Sequence, residues 1–140
     1  GIRCDGEDWI EEIEFLEERA EQKAATPLAA EAARQLRGFL KDPDFVFGLP
    51  LKPAGTPFQR RVWAQISAIP RGTTRTYGEV AKSLANAPRA VGQACGANPF
   101  PLVVPCHRVI ATGGGLGGFN RHGGGFLLEV KRWLLAHEQQ

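Results

Sequence analysis

The sequence predicts an α+β protein of two units, and three observations predict it. Two capping boxes, Thr56-Pro57-Phe58-Gln59 and Thr76-Tyr77-Gly78-Glu79, open short helices, and Asn86-Ala87-Pro88 turns the chain into a third. Two short helices joined by a tight turn form a helix-turn-helix. Ahead of them, a turn signal at Asp5-Gly6-Glu7-Asp8 and a capped helix at Thr26-Pro27 indicate a small α/β unit, closed off by the linker residues Pro50, Pro53 and Gly55. Charge changes sign at this linker: residues 1–55 carry 7 Lys/Arg and 12 Asp/Glu, residues 56–140 carry 10 and 3. The expected units are residues 1–52, a small α/β domain, and residues 56–140, a winged-helix-like domain.

In chain order, Trp9 to Leu16 mixes apolar and acidic residues with partial alternation, as an edge strand does. Glu17 to Ala25 is a charged connection. The helix after Thr26 carries its apolar stripe on Leu28, Ala32, Leu36, Phe39 and Leu40, and Phe45 to Leu51 is a short extended segment. Phe58, Val62, Ile66 and Ile69 lie at helical spacing until Pro70-Arg71-Gly72 stops the helix. The third helix, Pro88 to Gly96, consists almost wholly of small residues, which pack a core poorly but allow close approach to another surface. Ala111 to Gly118 is a glycine-rich loop read as a wing or lid, since it lacks the strand–loop–helix context of a nucleotide cradle. Phe126 to His137 closes the chain as a helix, with Leu127, Val130, Leu134 and Leu135 on its buried side.

Cys106-His107-Arg108 sits between two apolar β-branched runs directly after prolines, which cannot continue a helix and bias the residues before them toward extended backbone. A thiol is nucleophilic as thiolate, and a pKa of about 8.5 leaves little thiolate at neutral pH without a nearby base or positive charge. In an extended segment neighbouring side chains alternate faces, so adjacency alone makes no dyad of Cys106 and His107. A lone buried cysteine is more often a small hydrophobe than a nucleophile. Cys4, Cys95 and Cys106 form no zinc spacing, so neither a metal nor another cofactor is expected, and an odd count without a leader fits a reducing compartment. No apolar run approaches the roughly 20 residues of a membrane span. A basic half-chain suits a polyanionic partner.

The run Pro105-Cys106-His107-Arg108-Val109 resembles the signature of the DNA alkyltransferases that repair O6-alkylated guanine. Thr56-Pro57-Phe58-Gln59, Tyr77-Gly78-Glu79, Arg89-Ala90-Val91-Gly92, Asn98-Pro99 and Lys131-Arg132-Trp133-Leu134-Leu135-Ala136-His137-Glu138 fit the same family in order, so the resemblance covers residues 56–140. It implies that residues 1–52 are an abbreviated domain, a ribonuclease H-like remnant, and that a recognition helix is set in the minor groove. It also implies a monomer acting on double-stranded DNA that contains O6-alkylguanine, with O4-alkylthymine as a second lesion, in the cytoplasm of a prokaryote or the nucleus of a eukaryote.

Carried over by residue, the resemblance makes Cys106 the alkyl acceptor and His107 its base, acting through water. Glu138 orients His107, and Asn98 holds the turn behind the thiol. DNA contacts fall to Tyr77, Arg89, Ala90, Gly92, Gln93 and Arg108, with Arg89 entering the space left by the flipped nucleotide. Val109, Gly117, Gly118, Phe119 and Asn120 shape the guanine pocket. Where the family commonly has a tyrosine in the lid this chain has Phe119, and Asn120-Arg121-His122-Gly123 lengthen the lid. Two other classes compete: a DNA-lesion-binding or regulatory protein without transfer, against which Cys106, His107 and Glu138 speak, and a turnover cysteine hydrolase, which lacks an oxyanion motif.

Overall fold

The computed structural model describes residues 1–113, 115–117 and 125–140. The chain divides into two compact units, Gly1–Pro53 and Ala54–Gln140, each described separately.

In the first unit the turn at Gly6, φ +63°, closes an antiparallel hairpin of β1 (Ile2–Asp5) and β2 (Trp9–Ile13), with Cys4 opposite Ile10 and Ile2 opposite Ile13. The extended reading of residues 14–16 is therefore too long. Helix α1 (Pro27–Lys41) starts where Thr26 Oγ1 accepts the Ala29 N–H at 3.1 Å, a cap worth about 1 kcal/mol. Ala32 and Phe39 are buried as expected, but Leu40 is 46% exposed and Gln35 is buried in its place. Gln35 is accommodated because its amide pairs with both backbone groups of Gly48, accepting from N at 2.8 Å and donating to O at 3.1 Å. The stretch expected to be extended, Phe45 to Leu51, is mostly irregular. Phe39, Phe45 and Phe47 cluster there, and only Leu51 pairs, against Ile10. One hairpin and one helix make a mixed unit; its described elements do not extend to a ribonuclease H-like sheet.

In the second unit α2 (Pro57–Ser67) and α3 (Tyr77–Ser83) each begin with a complete capping box, at Thr56/Gln59 and Thr76/Glu79. Helix α2 buries Val62 and Ile66 completely, and its Trp63 Nε1 donates to Ala94 O at 2.9 Å, fixing α2 against α4 (Pro88–Gly96). The turn from α3 to α4 passes through Ala85 at φ 52°. β3 (Arg75–Thr76) pairs in parallel with β4 (Val109–Ile110). Helix α5 (Gly125–His137) buries Leu134 and, against expectation, Lys131, while Leu127, Val130 and Leu135 are half-buried.

Candidate active site

Cys106 is reached through a stiff turn. After α4, Asn98 Oδ1 accepts the Phe100 N–H at 2.9 Å, while its Nδ2 donates to Val104 O at 2.9 Å and to Cys106 Sγ at 3.2 Å. Leu102 is held at φ 75°, a left-handed conformation that a branched aliphatic residue adopts only when its surroundings enforce it. Pro101 and Val104 bridge across this turn. Cys106 N–H then donates to Val104 O at 2.8 Å.

Cys106–Arg108 forms a 3₁₀ turn, so the case of an extended segment does not arise. Pro105 lacks an N–H but keeps its carbonyl, which accepts from Arg108 N at 3.0 Å and closes the turn. Its three side chains therefore fan out around the turn in place of alternating across a strand.

His107 is fully buried, with Nε2 3.0 Å from Glu138 Oε1. The contact lies off the N–H direction, and neither ring nitrogen makes an aligned hydrogen bond to a described protein group. Nε2 is the ring nitrogen turned to the carboxylate, and Nδ1 is the one turned away from it. Burial lowers the imidazole below its ordinary value against the opposing pull of Glu138, so the ring is neutral at pH 7 and able to take a proton.

Glu138 is not a frayed terminal carboxylate. It is 1% exposed, and Arg108 donates to it from Nε at 3.1 and 3.0 Å and from Nη2 at 2.5 Å. Burial raises its carboxyl, but the contacts of His107 and Arg108 outweigh that and hold it at about 2. The backbone is fastened as well: Arg71 Nη1 donates to Glu138 O at 2.9 Å, and Gln139 Nε2 donates to Gly72 O at 2.9 Å. Arg108 thus corrects the expectation of a DNA contact. Its guanidinium is turned inward on Glu138 and on Ile69 O, at 2.7 Å, because a buried carboxylate requires a paired donor fork.

Lys131 was not singled out from sequence, although its spacing from Leu127, Leu134 and Glu138 puts it on the buried stripe of α5. Its Nζ donates to Val109 O at 2.8 Å and to Leu116 O at 2.5 Å, and sits 5.8 Å from the centre of the Tyr77 ring. Burial lowers it to about 8, with Cys95 and Cys106 opposing. Burial also pushes the Tyr77 hydroxyl up, keeping it protonated. Gly117, at φ +69°, lies so close to Tyr77 that a Cβ there would come within 2.8 Å of the ring. The backbone of Val109 and Gly117 is therefore gathered around Tyr77 and Lys131. Gly118, Phe119 and Asn120 lie outside the described residues.

Around Cys106 the balance is against a resting thiolate. The Cys95 thiol and burial push it well above its ordinary value, while Asn98 and the Lys131 charge pull it back. Activation therefore needs a base at the moment of reaction.

On α4, Val91, Ala94 and Cys95 face the interior, whereas Arg89 and Gln93, one turn apart, are exposed, and Ala90 and Gly92 are half-buried. A Cβ at Gly92 would meet nothing within 4 Å. That face carries one cation, Arg89, at its start.

Comparison with known proteins gives this arrangement a family. Residues 57–140 match the DNA-binding domain of 6-O-methylguanine DNA methyltransferase. The chain is 38% identical over 135 residues to the constitutive methylated-DNA–protein-cysteine methyltransferase of Bacillus subtilis, covering 95% of this chain and 78% of that protein. It is 49% identical over 100 residues to a probable methylated-DNA–protein-cysteine methyltransferase of Acanthamoeba polyphaga mimivirus, covering 69% of this chain but only 62% of that protein. The structure resembles that of Mycobacterium tuberculosis OGT in complex with DNA, with TM-score 0.79 and 34% identity over 97% of this chain and 84% of that one. With the matched domain spanning 84 of its 140 residues, the chain belongs to the 6-O-methylguanine DNA methyltransferase family.

Proposed function

We propose that this chain is a single-turnover DNA repair protein that transfers an alkyl group from O6 of guanine in duplex DNA to Cys106, acting as a monomer. The observation that carries this is a pair of neighbouring contacts: Asn98 Nδ2 donates to the buried Cys106 Sγ at 3.2 Å, and His107, next in the chain and fully buried, stands 3.0 Å from the buried Glu138.

The target atom lies inside the base stack, so the nucleotide must leave it, at a cost of a few kcal/mol. The exposed face of α4 lies along the minor groove, its Ala90 and Gly92 allowing close approach, its Gln93 contacting the groove and its Arg89 filling the gap behind the extruded base. Tyr77, at the start of α3, contacts the phosphate beside the flipped nucleotide. The guanine rests against the backbone of Val109 and the segment around Gly117.

The thiol proton passes through water to His107 Nδ1, and Glu138 stabilises the imidazolium that forms. Asn98 Nδ2 and the Lys131 charge stabilise the sulfur anion. Sγ attacks the alkyl carbon; the S–C bond forms as the C–O6 bond breaks, its electron pair stays on O6, and the released guanine takes up a proton at N1. A thioether is a poor leaving group, so Cys106 is not regenerated.

Stoichiometry tests this. With excess duplex carrying O6-methylguanine, loss of the lesion should stop at one equivalent per protein. Continued turnover would indicate a hydrolase, and binding without any loss would indicate a lesion-binding protein.

A further inference from the structure

Arg71, in the turn Pro70-Arg71-Gly72 that follows α2, holds the carboxylate residue of the site from its backbone side. Its Nη1 donates to Glu138 O at 2.9 Å and to Gln140 O at 2.8 Å. Carbonyls at the end of a helix have no partner within it, and a cation there also meets the negative end of the helix dipole. Arg71 thus closes α5 from another element, and it does so at Glu138, the first residue beyond the helix, where helix ends fray.

Two further straps join the same turn to Glu138. Gln139 Nε2 donates to Gly72 O at 2.9 Å, and Arg108, which clasps the Glu138 carboxylate, also donates to Ile69 O at 2.7 Å. The approach is close enough that a Cβ on Gly72 would come within 3.3 Å of Glu138 O. With Arg108 on the carboxylate and Arg71 on the carbonyl, Glu138 is held at both ends, 3.0 Å from His107. A carboxylate at that distance favours the protonated ring, and its help weakens as the separation grows and water enters.

We propose that Arg71 is a positioning residue for the transfer: by fixing the main chain of Glu138, it keeps the carboxylate against His107 while the imidazole takes the thiol proton. The inference rests on the relay of the proposed function. The charges that act on the His107–Glu138 pair, Arg108 from the 3₁₀ turn and Lys131 from α5, stay in place when Arg71 is substituted.

The experiment measures single-turnover methyl transfer from a duplex containing O6-methylguanine, across pH, for wild type, Arg71→Ala, Glu138→Gln and the double variant, each below its unfolding temperature. Arg71→Ala should slow transfer roughly tenfold, a fraction of what a positioned base contributes, because Gln139 and Arg108 still hold Glu138. Its pH–rate profile should move to higher pH, as that of Glu138→Gln does. In the Glu138→Gln background the same substitution should cost about twofold or less, since residues that act through one group are not additive. Arg71→Met, which keeps the aliphatic stem and removes the donors, serves if the alanine variant does not fold. A slower rate with the wild-type profile, or an equal loss in both backgrounds, would make Arg71 a structural cap or a distant charge and overturn the proposal, as would an unchanged rate. Wild-type protein that transfers no methyl would sink the proposed function, whereas a failure confined to the Arg71 variants leaves that function standing.

Discussion

Arg108 clasps both carboxylate oxygens of Glu138, from Nε at 3.1 and 3.0 Å and from Nη2 at 2.5 Å, and so makes the last helix a structural part of the site. Without this fork, a carboxylate 1% exposed would face His107 with no permanent counter-charge. Arg108→Ala should lower stability by about 3–5 kcal/mol, the usual result of stranding one member of a buried pair. Urea unfolding measures it. Arg108→Lys should restore little, because an ammonium cannot match the two-point geometry. A loss within about 0.5 kcal/mol, as for a surface pair, would contradict the structure.

The same pair sets the acid limit of the fold. Glu138 is held at about 2, below the ordinary carboxylate value of 4.5, so it contributes stability that is full above pH 4.5 and is lost as the pH falls toward 2. His107, lowered by burial, acts in the same direction from its own ordinary value of 6.5 downward, because the unfolded chain binds its proton more readily. Midpoints of urea unfolding should fall steadily on acidification, and Glu138→Gln should flatten the lower part of that curve. The same substitution should raise the apparent pKa of the thiol and slow transfer, since the imidazolium would lose its carboxylate. An unchanged pH–rate profile would remove Glu138 from the relay.

How much of this could be read from the residues depended on whether the determining forces were local. Capping boxes act within one turn, so the starts of α2 and α3 at Pro57 and Tyr77 were legible, as was α4 at Pro88. The grouping of Asn98, Cys106, His107 and Glu138 was expected only through a family resemblance, because the contact of His107 with Glu138 joins residues 31 apart in the chain. Three features followed from partners far along the chain. Gln35 is buried because Gly48 satisfies its amide, Lys131 because the Val109 and Leu116 carbonyls receive its ammonium, and Arg108 turns inward because Glu138 is there. A charged residue on an otherwise apolar stripe, as Lys131 is, was the one signal available for such a site.

Lys131→Met keeps the volume of that side chain but removes its charge and leaves two carbonyls unsatisfied. Transfer should slow by roughly tenfold or more, a loss of about 1.4 kcal/mol of transition-state stabilisation, and the apparent thiol pKa should rise. Single-turnover rates across pH report both. A stability loss with an unchanged pKa would confine Lys131 to holding the loop at Leu116.

Arg89→Ala separates extrusion of the base from the chemistry. As a side chain that fills the vacated stack, Arg89 should matter greatly for an alkylated guanine in duplex DNA and little for the free alkylated base, compared at saturating protein. A simple phosphate contact would weaken binding to every duplex alike and reduce the salt slope by about one unit. Equal loss on both substrates would place Arg89 in support of the pocket.

The site of modification is the most direct test of the alkyl-acceptor assignment. After incubation with a duplex containing O6-methylguanine, the intact protein should gain the mass of one methylene, a methyl replacing the thiol proton, and peptide mapping should place it on Cys106 alone. Cys106→Ser should show no gain while still binding the duplex. A methyl found on Cys4 or Cys95, or a gain that survives Cys106→Ser, would contradict the assignment.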